Sequence, residues 1–128
     1  MIVRRSDRTP FDFDGLQIRE LTPEGLQEAS VAEVEVAPGV SHKLARSTKS
    51  DKLYVCIAGS VTFWEGDKKL QLGVGDLVLI RTGEWFKYEN ETEEVARLIL
   101  VHIPPFDLQC EEFRDARATR IARRKMRS

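Results

Sequence analysis

Two stretches decide the fold: residues 39–59, GVSHKLARSTKSDKLYVCIAG, and residues 75–90, GDLVLIRTGEWFKYEN. In each, short apolar runs end at a glycine, and a compact polar hairpin sequence separates the two stretches. Gly59, Gly66, Gly75 and Gly83 stand where the chain must reverse between runs. A tight hairpin needs positive φ or a close backbone approach, which glycine supplies without a Cβ penalty.

Working outward, residues 31–37 read VAEVEVA, an apolar–polar alternation that predicts a half-buried strand. Pro38-Gly39 ends it, because proline cannot donate a ladder hydrogen bond. Residues 40–51 are polar and predict a loop or an irregular edge strand. Further strands are expected over 52–58, 60–65, 69–72, 77–81, 86–89 and 95–103, the last stopped by Pro104-Pro105. Before residue 31 only residues 16–21 read as a strand, and residues 111–125 predict a helix with a thin apolar face. Short strands with glycine turns indicate an all-β sandwich or barrel rather than a βαβ protein. The chain divides into an N-terminal arm (1–30), a barrel (31–106) and a basic C-terminal tail (107–128), helical or frayed.

The glycine spacing resembles the two cupin motifs, G-x5-H-x-H-x3,4-E-x6-G and G-x5-P-x-G-x2-H-x3-N. Counted from Gly39, the first motif's donor positions fall on Ala45, Ser47 and Lys52, before Gly59. Counted from Gly75, Arg81 takes the proline position, Gly83 and Asn90 match, and Phe86 stands for the histidine. The resemblance spans roughly residues 30–106 and implies a jelly-roll barrel whose two sheets enclose a small lumen. It also points Lys52, Tyr54 and Cys56 into that lumen, whereas periodicity alone would bury Leu53, Val55 and Ile57. Both faces are satisfied if a second copy covers the outer one, so a homodimer is expected.

A transition metal in this fold needs three or four converging N, O or S donors. Alanine and phenylalanine offer none, serine is a poor donor and lysine is a cation, so neither a metal nor another cofactor is expected. Lys52, with Arg46 nearby, makes the lumen cationic and suited to a small anionic or polar metabolite. Tyr54, Phe86 and Tyr88 supply an aromatic wall, with Ser47 and His42 as further polar contacts. The leading expectation is therefore a small-molecule-binding protein. An alternative is a metal-independent isomerase, epimerase or lyase, with Lys52, His42 or His102 as base and a tyrosine as acid. A third is a structural or regulatory dimer with a partner-binding tail.

Composition fits an ordinary globular chain, 41% apolar and 32% charged. No run approaches the roughly 20 apolar residues of a membrane span, and the first residues lack the apolar core of a secretory signal. Two cysteines, Cys56 and Cys110, make no disulfide framework, so a reducing, cytoplasmic setting is expected. Residues 114–128 carry seven basic groups against Asp115, while the rest of the chain is net acidic. A solvated tail is the expectation there, with neither membrane nor nucleic acid as partner.

Overall fold

The computed structural model describes residues 1–114. Eleven strands form two antiparallel sheets. The first sheet has the order β1 (Phe11–Phe13), β2 (Leu16–Glu20), β3 (Ser30–Val36), β10 (Ala96–Ile103), β5 (Asp51–Ala58), β8 (Leu77–Ile80). The second has the order β11 (Glu111–Arg114), β4 (Ser41–Ser47), β9 (Phe86–Glu89), β6 (Ser60–Glu65), β7 (Lys68–Gly73). The expected all-β jelly roll is what forms, and no helix among the described residues is long and apolar enough to cross a membrane.

Strand pleating decides which residues enclose the interior. Along β5, Lys52, Tyr54 and Cys56 are buried while Leu53, Val55 and Ile57 are not. The inner face is thus the one the motif resemblance gave, not the one with the more aliphatic residues. The aliphatic side chains lie on the outer face of the first sheet, where Ile57 and Leu77 are 46% and 56% exposed. Tyr54, Phe63, Phe86 and Tyr88 fill the centre between the sheets and are essentially inaccessible. Burying such rings contributes about 1.5–3 kcal/mol each, which makes this aromatic layer the main hydrophobic anchor.

Two expectations change at the ends of the chain. Residues 111–114, expected to begin a helix, form β11 and pair with β4, Glu111 opposite Ser47 and Phe113 opposite Ala45. Exposed-strand pairing overrides helix propensity where an edge is open to receive it; the remainder of the expected helix lies outside the described residues. At the other end, β1 and β2 make a hairpin that extends the first sheet. Its turn, Asp14-Gly15, has φ of 52° and 93°, the double left-handed geometry that Asp-Gly favours. Residues 40–51, expected to be a loop or irregular edge, contain β4, with a register shift between His42 and Ala45.

Asn90, the last residue of the second motif, has a structural task. Its Nδ2 donates to the carbonyls of Val36 and Glu94 at 2.9 and 2.7 Å. Its Oδ1 accepts from the Thr92 amide and hydroxyl at 2.9 and 2.7 Å. Replacing Asn90, itself fully buried, with alanine leaves the Val36 and Glu94 carbonyls and the Thr92 amide without these partners. A loss of about 2–3 kcal/mol in urea unfolding is expected from the unsatisfied carbonyls, with the far-ultraviolet spectrum of a β protein retained.

Candidate ligand cavity

Between the sheets, at the end where β1, β2 and β11 meet, lies a cavity of about 300 Å3. That is the small end of the range for ligand sites. Most of its wall is apolar and aromatic, including Phe13, Leu16, Tyr54, Tyr88 and Phe113, and His42 sits among these rings. The His42 ring lies 5.0 Å from Tyr88 and 6.2 Å from Phe113, centroid to centroid. Tyr54 meets Tyr88 edge-on at 5.4 Å.

At one end the wall turns polar. Lys52 on β5 is paired in register with His102 on β10, so both side chains leave the first sheet side by side. Glu111 comes from the opposite sheet, on β11, and its Oε1 accepts a salt-bridging hydrogen bond from Lys52 Nζ. His102 Nε2 lies 3.6 Å from the same oxygen. The side chains of Lys52, His102 and Glu111 are only 4%, 6% and 3% exposed. An ion pair in such surroundings holds its geometry because either partner alone would be an uncompensated buried charge. Two atoms of this group, Glu111 Oε2 and His102 Nε2, are buried with no hydrogen-bond partner.

The titration directions follow from that burial. Burial pushes the Glu111 carboxyl up, but the neighbouring His102 ring and the bonded Lys52 ammonium outweigh it, and the net shift is down. Burial lowers the Lys52 ammonium against the pull of Glu111. Burial also lowers His102, with Glu111 opposing. The phenols of Tyr54 and Tyr88 are both driven up, burial being the first cause. The cavity therefore holds the Lys52–Glu111 ion pair, neutral phenols and two imidazoles, of His42 and His102, that burial disposes to be neutral.

His42 is held down to about 4, mainly by burial, against the bond its ring makes to the backbone. Its Nδ1–H donates to the Lys43 carbonyl at 2.6 Å, which fixes the tautomer and leaves Nε2 with its lone pair. The native state thus refuses a proton that the unfolded chain accepts near pH 6.5. The stability from this histidine is complete above about pH 6.5 and is lost as pH falls to about 4, a total of about 3 kcal/mol. Urea unfolding across that window should show the slope, and His42→Phe should reduce it to the smaller share that His102 contributes in the same direction.

Of the residues expected at the site, Lys52, Tyr54, Tyr88 and His42 line the cavity. Phe86 sits behind it, with Lys52 Nζ 5.0 Å above its ring. Ser47 faces inward but caps the following turn, its Oγ accepting from the Lys49 and Ser50 amides at 3.1 and 2.8 Å. Arg46 is a correction. It faces outward, bonds Glu112 at 2.8 Å and lies 4.8 Å above the Trp85 ring. The bulge in β4 is the cause, since an extra residue after His42 reverses the alternation that would have turned Arg46 inward. Nor is the lumen cationic as expected: Glu111, 59 residues away in sequence, balances Lys52.

Sequence reading missed Glu111 and the mouth residues Phe13 and Phe113. His102 could have been placed, because Leu98, Leu100 and His102 alternate inward along β10. The donor positions of the metal-binding motif are Ala45, Ser47, Lys52 and Phe86, whose chemistry does not fit a transition metal. Among the described residues, no group of three His, Cys, Asp or Glu side chains comes together as a metal-holding set.

The family model of the cupin domain matches residues 32–102. Among curated proteins, none matches the sequence. Of solved structures, the chain is similar to Pac13 from Streptomyces, described as a unique nucleoside dehydratase. The identity is 18%, with 89% of this chain and 90% of that one covered and a TM-score of 0.77. Variants of Pac13 with a histidine changed to glutamine, or one of two tyrosines to phenylalanine, were solved with uridine. It is also similar to a predicted oxalate decarboxylase of Thermotoga maritima (22% identity, 81% and 99% covered, TM-score 0.75). KdgF from Halomonas sp. is a third (14% identity, 84% and 96% covered, TM-score 0.76). At these identities the likeness establishes the fold.

Proposed function

The chain belongs to the cupin-domain family, and we propose that it is a metal-independent member whose cavity takes a small, neutral, ring-bearing polar metabolite of nucleoside type. The observation that carries this reading is the pair of orphaned atoms, Glu111 Oε2 and His102 Nε2, in an otherwise aromatic and apolar cavity. Buried polar groups without partners are rare in folded proteins, and a ligand is one of the few things that satisfies them. The balanced Lys52–Glu111 pair removes the attraction for a free anion, so a neutral ligand fits better than an anionic one. The aromatic wall offers faces against which a planar ring can stack.

Uridine is the first probe, given its presence in the Pac13 variant structures. Calorimetric titration of chelator-treated protein should show uridine binding that added zinc or manganese does not change. Absence of binding, or binding only after metal is restored, overturns the reading.

A second reading, acid–base catalysis on the bound ligand, is favoured by one observation: His42 with a free Nε2 beside Tyr88, which in turn meets Tyr54. A neutral imidazole offers the lone pair that a base needs and a phenol kept protonated can donate, although burial makes His42 a weaker base than a free imidazole. In this reading His42→Gln leaves ligand affinity within a few-fold but abolishes turnover, as followed by proton NMR of the ligand. Equal turnover in the variant rules His42 out as the base.

The aliphatic outer face of the first sheet supports a homodimer. Leu53 lies between Leu79 and Val101 in register, and Val55 between Leu77 and Ile99. Such a contiguous apolar patch is more than a monomer usually leaves in water. Sedimentation should give a dimer, and Leu77→Glu should shift it to monomer without unfolding. Free Cys56 and Cys110 fit a reducing compartment.

A further inference from the structure

Resting on the reading of the cavity as a site for a neutral polar ligand, we infer that its polar end is an alcohol-recognition subsite. One ligand hydroxyl donates its proton to Glu111 Oε2 and accepts a hydrogen bond from His102 Nε2–H. Both atoms are buried and without partners, on side chains 3% and 6% exposed, and both residues line the cavity. Lys52 occupies the other carboxylate oxygen, Oε1. His102 Nε2 stands 3.6 Å from Oε1, beyond a good hydrogen bond. A bare lone pair facing a carboxylate oxygen would be repelled, so Nε2 carries the proton and needs an acceptor.

The chemistry of the ligand atom follows by elimination. A carboxylate or phosphate has no proton to give Glu111 and would be repelled by it. An ammonium can donate to Glu111 but cannot accept from His102, and it would face the Lys52 charge. A carbonyl accepts only, and an amide nitrogen donates only. A hydroxyl oxygen does both on a single atom, whereas a cyclic amide edge does so with two, its N–H and its C=O, and equal binding of all three deoxy analogues would mark that case. Lys52 keeps the carboxylate ionised and oriented, so it is a positioning residue for this subsite and not a contact of the hydroxyl.

The test is a calorimetric series on the full chain with uracil, uridine and its 2′-, 3′- and 5′-deoxy analogues, repeated with Glu111→Gln. One deoxy analogue should bind about 10- to 100-fold more weakly than uridine, the effect of removing one hydrogen bond to a charged buried group. In Glu111→Gln, uridine should weaken to a similar degree and the penalty for that same analogue should largely vanish, because its partner has changed. Equal binding of all three deoxy analogues by the parent protein overturns the subsite but leaves the cavity reading standing. A deoxy penalty that persists undiminished in Glu111→Gln also overturns it, since the hydroxyl is then read elsewhere. Failure of uracil and uridine alike to bind the parent protein overturns the nucleoside reading, and the inference with it. The deoxy series needs no variant, so misfolding of Glu111→Gln does not remove the test.

Discussion

Replacing Lys52 with methionine lowers stability by about 3–5 kcal/mol at neutral pH, the usual cost of removing one partner from a buried ion pair. Methionine matches the stem of lysine but gives up the ammonium contact over the Phe86 ring along with the ion pair. What remains is the Glu111 carboxylate, 3% exposed, with only His102 beside it. Without the lysine, burial drives the proton affinity of this end of the cavity upward, and the folded variant takes up a proton that the unfolded chain does not hold. Its deficit relative to the parent therefore shrinks as the pH is lowered from 7 toward 5. The double variant Lys52→Met/Glu111→Leu should recover much of the loss, because no charge is left to bury. Urea unfolding of the three proteins at both pH values checks this. A single variant as stable as the parent at pH 7 would mean that Lys52 and Glu111 do not form a buried pair.

Replacing Gly59 with valine costs about 4 kcal/mol or more, from a left-handed backbone and a steric collision acting together. Gly59 joins β5 to β6 with φ of +67°. A Cβ there would stand 2.7 Å from the Val95 carbonyl oxygen and 2.9 Å from the Ala96 Cα. Both are backbone atoms at the start of β10, the strand between β5 and β3, so neither yields without disturbing the ladder. Gly66→Ala is the control. It also has positive φ, +55°, but a Cβ there meets nothing within 4 Å, so it pays the conformational cost of about 1–2 kcal/mol alone. Chemical denaturation should separate the two by a clear margin, and equal losses would remove the steric half of the argument.

The barrel was legible because its signals are local. Alternation, glycine turns and proline stops lie within a few residues of what they specify, and the strands from β5 to β10 fall where those signals put them. The Asp14-Gly15 turn was equally local and equally readable, yet the short arms of the β1–β2 hairpin hid it among polar residues. The inward side of β5 is a different case. Leu53, Val55 and Ile57 make the stronger hydrophobic pattern, and only the motif spacing showed that Lys52, Tyr54 and Cys56 face the interior.

The site was legible in half. Tyr54 and Lys52 could be placed because the motif spacing fixes the inward side of β5, and Tyr88 because it alternates with the exposed Lys87, whereas His42 was expected only as a polar contact from a loop or irregular edge. Arg46 could not be placed, since a bulge in β4 leaves no mark in composition. Glu111 could not for a deeper reason. Its partner is 59 residues earlier, and nothing near it distinguishes a carboxylate destined for the interior from one destined for water. The charge of the cavity was therefore misread from a cation whose counterion lies on another sheet.

Some of the residues that give this cavity its character lie outside the part of the chain that defines its family. The shared domain covers residues 32–102, whereas Phe13 enters from β1 and Glu111 and Phe113 from β11, outside both limits. What closes the mouth and what neutralises Lys52 thus come from the two flanks of the shared domain. A relative that aligns well across the shared strands but differs in these flanks should have the same architecture and a different appetite. An excised domain ending at residue 102 would carry the lysine without its counterion, a positive cavity in place of a balanced one.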